Sequence, residues 1–147
     1  MSDMSGKERK LILKTKTISQ IIIFRAAPNE VYAALMDSKK HSKFTGSRAK
    51  ISGKVGGKIE AYDGYIQGKN ISLEKNKRIV QSWRACNWPK GHYSTATFKL
   101  KRISSGTKLV FTQTGVPIEF YKPISDGWKE HYWEPIKKLL KLNPNNF

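Results

Sequence analysis

Apolar and polar positions alternate over Tyr93–Lys101, where Ala96, Phe98 and Leu100 are interleaved with Thr95, Thr97, Lys99 and Lys101. A period of two with one apolar face is what a strand needs in a sheet covered on one side. Thr17–Arg25 (TISQIIIFR) and Ile79–Ala85 (IVQSWRA) are further β-rich runs. From Ser47 to Gln113 no helical period appears. Short runs there are separated by turn residues at Gly53, Gly56–Gly57, Asp63–Gly64, Gly68, Asn76, Gly91 and Ser104–Gly106. Asp63–Gly64 between IEAY and YIQG is a hairpin signal. This spacing predicts an antiparallel meander of about six or seven strands.

Two stretches carry helical period instead. In AAPNEVYAALMD, Pro28 and Glu30 suit a first turn, and Val31, Ala34 and Leu35 share a face. Asp37 is placed to cap a second short helix through His41. Near the C-terminus, Thr114–Pro123 reads as a connector, and Ser125 or Asp126 starts a helix running to about Lys141. Its stripe is Trp128, His131, Tyr132, Pro135, Ile136, Leu139 and Leu140. Trp128, Tyr132, Ile136 and Leu139 are expected to face the sheet, with a kink at Pro135. The predicted class is α+β: a curved antiparallel sheet wrapped around a long C-terminal helix, with two short helices after the first strand. Residues 1–16 read as a basic lead-in, 17–142 as one domain and 143–147 as a short tail.

Charge changes the picture. The 28 basic and 11 acidic residues of this 147-residue chain give a net charge of +17. That implies either a merely solvated basic surface or attraction to a polyanion: nucleic acid, an anionic membrane or an acidic protein. The lysine clusters are dispersed and accompany no nucleic-acid-binding motif. The longest apolar run, Ile21–Phe24, is too short to span a bilayer. Cys86 is the only cysteine, so no intramolecular disulfide can form. These features lead us to expect a soluble, cytoplasmic protein.

Candidate chemistry is thin. Asp37, Asp63 and Asp126 have structural places at helix starts and a turn, which argues against paired acid/base carboxylates. His41, His92 and His131 lack a zinc-ligand spacing, so no metal is expected. Cys86 and His92 flank one loop, yet a small apolar role at a strand end is the simpler reading of Cys86. No cofactor motif is visible. A sheet curved around a helix often encloses a cavity, and Trp83, Phe98, Phe111, Trp128, Tyr132 and Ile136 are expected to line one. Trp88 stands apart, because its loop (Cys86–His92, CNWPKGH) gives it no automatic burial. It is either a loop-packing anchor or a recognition residue.

Several of these residues together resemble the activator of heat-shock protein 90 ATPase family, over about Ile18–Leu140. Phe24, Ala27, Pro28 and Val31–Tyr32 resemble its opening strand and helix. Gly56–Gly57–Lys58 and Asp63–Gly64 resemble its glycine pair and hairpin. Leu73, Ile79–Val80 and Trp83–Arg84 resemble its "Leu…Ile-Val…Trp-Arg" strand. Gly115–Pro117, Gly127–Trp128 and Tyr132 resemble its approach to the last helix. Trp88, Pro89, Gly91 and His92 look like the loop of the co-chaperone branch specifically.

The resemblance implies a helix-grip fold, similar to START and birch-pollen-allergen-like domains. It implies no catalytic residues, and a partner of the heat-shock protein 90 type whose ATPase is stimulated. Trp88, Pro89, Lys90, Gly91 and His92 are then the expected partner-binding loop. About sixteen residues precede the matching region, so the co-chaperone's N-terminal grip domain is expected to be missing. Two other functions remain open: a carrier or sensor of a small apolar ligand in the sheet–helix cavity, and a basic polyanion-binding module.

Overall fold

The computed structural model describes residues 13–141. The start of the basic lead-in and the C-terminal tail lie outside them. Strand β1 (Thr15–Phe24) is followed by helices α1 (Pro28–Met36) and α2 (Ser38–Thr45). Six strands come next: β2 (Lys50–Ile51), β3 (Lys58–Ala61), β4 (Ile66–Glu74), β5 (Arg78–Ala85), β6 (Ser94–Ile103) and β7 (Gly106–Pro117). The seven form one antiparallel sheet in the order β1-β7-β6-β5-β4-β3-β2. All neighbours except β1–β7 are consecutive in sequence, so the meander read from the turn residues is the architecture. β1 closes it by pairing with the last strand.

The short helices form where their signals lie. Pro28 occupies the first turn of α1, where a missing N–H breaks no bond. The backbone N–H of Ala27 reaches the Glu30 carboxylate at 3.3 Å. Asp37 caps α2 by accepting the Lys40 N–H at 2.9 Å. That helix runs on past His41 to Thr45 and stops at Gly46, whose φ of +73° favours glycine.

The C-terminal helix starts earlier than the sequence suggests. Thr114 to Pro117 belong to β7 and still pair, Thr114 with Thr95 and Pro117 with Thr15. A 3₁₀ turn (Ile118–Phe120) leads straight into helix α3 (Tyr121–Trp128). Pro123, read as part of a connector, sits in the first turn of α3, where its lack of an N–H does no harm. Lys129–Trp133 is a π turn, and helix α4 (Glu134–Lys141) completes the element. The π turn, closed by the Glu134 N–H on the Lys129 carbonyl, just precedes Pro135.

That turn re-aims the helix. In π geometry the bond runs from residue i to i+5 rather than i+4, which swings Trp133 round toward the face of Trp128, the inner one. The two indoles stack at 5.4 Å with planes 21° apart. Trp133 is buried, whereas His131, placed on the apolar stripe by an α period, is exposed. Trp128, Tyr132 and Ile136 face the sheet as expected, and Leu139 packs at its margin, half-buried.

Candidate functional site

The loop between β5 and β6 is held from below. The Arg84 guanidinium donates to the carbonyls of Trp88 (2.9 Å), His92 (3.3 Å) and Pro89 (3.4 Å). Trp88 N–H donates to Ala85 at 3.0 Å and His92 N–H to Pro89 at 3.1 Å, while Gly91 takes a φ of +77°. The His92 ring lies 2.7 Å from the Gly115 carbonyl, so Nε2 carries a proton and donates there. His92 is thereby tied to β7 and does not pair with Cys86, which is exposed.

Trp88 points inward. It is 4% exposed and packs against Trp83 at 5.4 Å, His92 at 6.0 Å and Phe120 at 6.5 Å. Of its two sequence readings, the packing anchor describes this conformation, because the ring finds an apolar wall on β5 and the 3₁₀ turn. Its indole N–H is buried without a hydrogen-bond partner among the described residues. An unpaired buried donor costs roughly 1–3 kcal/mol. The surface of the loop is made by Pro89, Lys90 and Gly91, all exposed. The five residues singled out by the resemblance thus divide into a buried post, a tethered imidazole and a three-residue exposed tip.

Among the described residues the space between sheet and helix, where a ligand cavity is expected, is small. Phe111 and Ile136 are fully buried core side chains. Phe98, Trp83, Trp128 and Tyr132 line an internal void of about 20 Å³, room for about one water molecule. Aromatic packing fills the space: Phe111 lies 4.4 Å from Trp128 and 5.1 Å from Phe98. Two glutamines fix the indoles within it. Trp128 Nε1 donates to Gln113 at 2.8 Å and Trp133 Nε1 to Gln20 at 2.6 Å.

The open space lies at the mouth, as a surface cleft of about 460 Å³. Trp83, Trp128 and Tyr132 form its floor, Tyr62 and Tyr65 one lip, and Ile124, Gly127 and His131 the other. Tyr62 holds the lips together. Its φ is +51°, an uncommon state for a bulky residue that costs about 1–3 kcal/mol. That backbone lays the phenol across the helix, with its hydroxyl on the His131 carbonyl at 3.1 Å. Burial pushes the Tyr62 phenol up to about 12, so it stays a neutral donor.

Behind the cleft, His41 is buried between α1 and the helix. Nδ1 is 3.1 Å from the Leu35 carbonyl, so it must donate; Nε2 therefore accepts from the Tyr132 hydroxyl at 3.0 Å. Burial pulls the imidazole down to about 4, against a smaller opposing effect of the Leu35 carbonyl. Burial, with a lesser contribution from Tyr62, raises the Tyr132 phenol. Both groups are neutral at pH 7, and their hydrogen bond holds each in a fixed orientation. Among the described residues no group of three His, Cys, Asp or Glu could hold a metal ion, and no helix is long and apolar enough to cross a membrane.

Tyr62, Arg84 and Trp133 were not singled out as site residues from sequence. Signals for them exist: a tyrosine before Asp-Gly, an arginine four residues before a loop tryptophan, and a proline inside a helix.

A sheet wrapped on one long helix defines the helix-grip class. The chain belongs to the family described as Activator of Hsp90 ATPase homolog 1-like protein, which matches residues 25–141. It is 34% identical over 134 residues to an activator of 90 kDa heat shock protein ATPase homolog of Dictyostelium discoideum, covering 90% of this chain and 35% of that protein. It is 32% identical over 139 residues to an uncharacterized protein of Schizosaccharomyces pombe, covering 95% and 41%. The chain thus spans well under half the length of these relatives. An HSP90 activator from Plasmodium falciparum has the same fold, with a TM-score of 0.77 at 24% identity, covering 86% of this chain and 96% of that one.

Proposed function

We propose that this protein binds a heat-shock protein 90-type chaperone and stimulates its ATPase, with no chemistry of its own. Family membership over residues 25–141 carries the reading, together with relatives named as activators of that ATPase. The contact we assign is the exposed tip Pro89–Lys90–Gly91, with Trp88 and His92 as its supports. Arg84 and the His92 tether restrict the loop before binding, which reduces the entropy lost on docking. The +17 charge speeds encounter with an acidic partner.

The test is the ATPase rate of a purified chaperone of this type, titrated with the full chain. Stimulation that falls several-fold on Lys90→Glu supports the reading. No stimulation by the wild-type chain at any salt concentration overturns it.

A second reading rests on the 460 Å³ cleft with its aromatic floor. It fits a flat apolar ligand lying between Tyr62 and Ile124, and the filled interior moves any carrier function to this mouth.

A further inference from the structure

The face of the sheet turned away from the helix is used by neither the loop nor the cleft. Its register sets cations against cations. Arg78 lies opposite Lys99, and Lys101 opposite Lys108. Like charges directly opposite destabilise a sheet. None of these four cations has an ion pair among the described residues. Arg78 makes a hydrogen bond to Ser72 Oγ at 3.3 Å, and Glu74, which faces it across β4, is engaged instead with Lys77 at 4.0 Å.

Beside the cations lies apolar surface. Ile21 is 63% exposed and Ile23 45%. Ile21 pairs with Val110, which pairs with Lys99; Ile23 pairs with Lys108. The isoleucines and lysines therefore form one continuous patch across β1, β7, β6 and β5.

We infer that this face docks an acidic protein segment that also carries apolar side chains. The occupant must be anionic, because the face keeps repulsive pairs that a neutral partner would leave in place. A second copy of the chain, at +17, is repelled from it. The first twelve residues offer no complement, since Lys7, Arg9 and Lys10 outnumber Asp3 and Glu8. A single-stranded nucleic acid needs stacking platforms, and a membrane surface favours tryptophan or tyrosine at headgroup level. The patch has no aromatic residue and two exposed isoleucines, which a protein segment covers and a phosphate chain does not. The inference is independent of the chaperone reading and of the Trp88 loop.

The probe is a fluorescein-labelled peptide of alternating glutamate and leucine, titrated with the full chain and three variants. Lys99→Glu/Lys101→Glu/Lys108→Glu should weaken binding about tenfold or more. Lys39→Glu/Lys40→Glu/Lys43→Glu, an equal charge change on exposed sites of α2, should weaken it less than about threefold. Ile21→Ser/Ile23→Ser should weaken it several-fold at unchanged charge. Lys101→Glu alone should raise Tm by about 1–4 °C, because it turns a repulsive pair into an attractive one while removing a docking charge. That rise shows that lost binding is not lost folding. Equal weakening by the two triple variants overturns the inference in favour of bulk charge. So does an unaffected Ile21→Ser/Ile23→Ser variant, or tighter binding of oligouridylate or of phosphatidylserine–phosphatidylcholine vesicles than of the peptide.

Discussion

The hydroxyl of Tyr62 donates at 3.1 Å to the carbonyl of His131, the carbonyl four residues before Pro135. That carbonyl lies in the π turn just before Pro135, a residue with no backbone N–H to give. The β3–β4 turn thus supplies an outside donor to the irregular stretch of helix beside Pro135. The same phenol forms one lip of the cleft, so helix repair and cleft shape share one residue. Tyr62→Phe should therefore cost about 0.5–1.5 kcal/mol in urea unfolding. In a Pro135→Ala background, where a backbone donor is restored, the same change should cost less than half as much. Equal costs in both backgrounds would show that the two residues are not coupled.

His41 makes stability depend on pH in a definite direction. Its folded-state value is about 4 against an ordinary 6.5. The unfolded chain therefore binds the proton more readily. The stabilising contribution is fully present above pH 6.5 and is lost as pH falls through 4. The full difference is about 3 kcal/mol. Wild type should lose most of that between pH 7 and pH 4, beyond the loss seen in His41→Gln. Parallel curves for the two proteins would mean that the buried imidazole is not the titrating group.

Trp88 shows how far the chain could be read in advance. Alternation in β6, the β-rich runs of β1 and β5, the turn residues and the Pro28 and Asp37 signals were enough for the sheet and the two short helices. They work because they are local: side-chain period and capping are decided within a few residues. The start of the long helix was misread because Pro117 and Pro123 look alike in sequence, yet one ends a strand and the other fills a first helical turn. The π turn moved Trp133 inward and His131 outward, which no fixed period predicts. Trp88 was ambiguous because its burial depends on Trp83 and Phe120, brought to it by the fold. That Pro89–Gly91 is an exposed turn was legible; the post beneath it was not.

The burial of Trp88 reverses the simplest expectation for a recognition residue, that its removal leaves stability untouched. Trp88→Ala removes a core ring and should lower stability by about 3–5 kcal/mol, readable as a large fall in Tm. Lys90→Glu, two residues on and exposed, should leave Tm within about 1–2 °C while reducing chaperone stimulation. A Trp88→Ala variant that melts like wild type would mean that the ring is not a post in solution.

Gly127 tests the cleft without threatening the fold. It lies in α3, and a Cβ built there meets only the His131 ring, at 3.7 Å, an ordinary contact. Gly127→Ala should therefore be stabilising by about 0.4–1 kcal/mol, chiefly by restricting the unfolded chain. The added methyl also enters the cleft wall beside Trp128. If a flat apolar ligand uses the cleft, an apolar fluorescent probe should bind wild type and bind Gly127→Leu several-fold more weakly, because the larger side chain occupies its space. Chaperone stimulation should not change in either variant, since Gly127 lies in the cleft wall and the assigned contact is the Pro89–Gly91 tip. Probe binding that ignores Gly127→Leu removes the cleft as the ligand site, and stimulation lost in Gly127→Leu places the chaperone contact at the cleft instead of the loop.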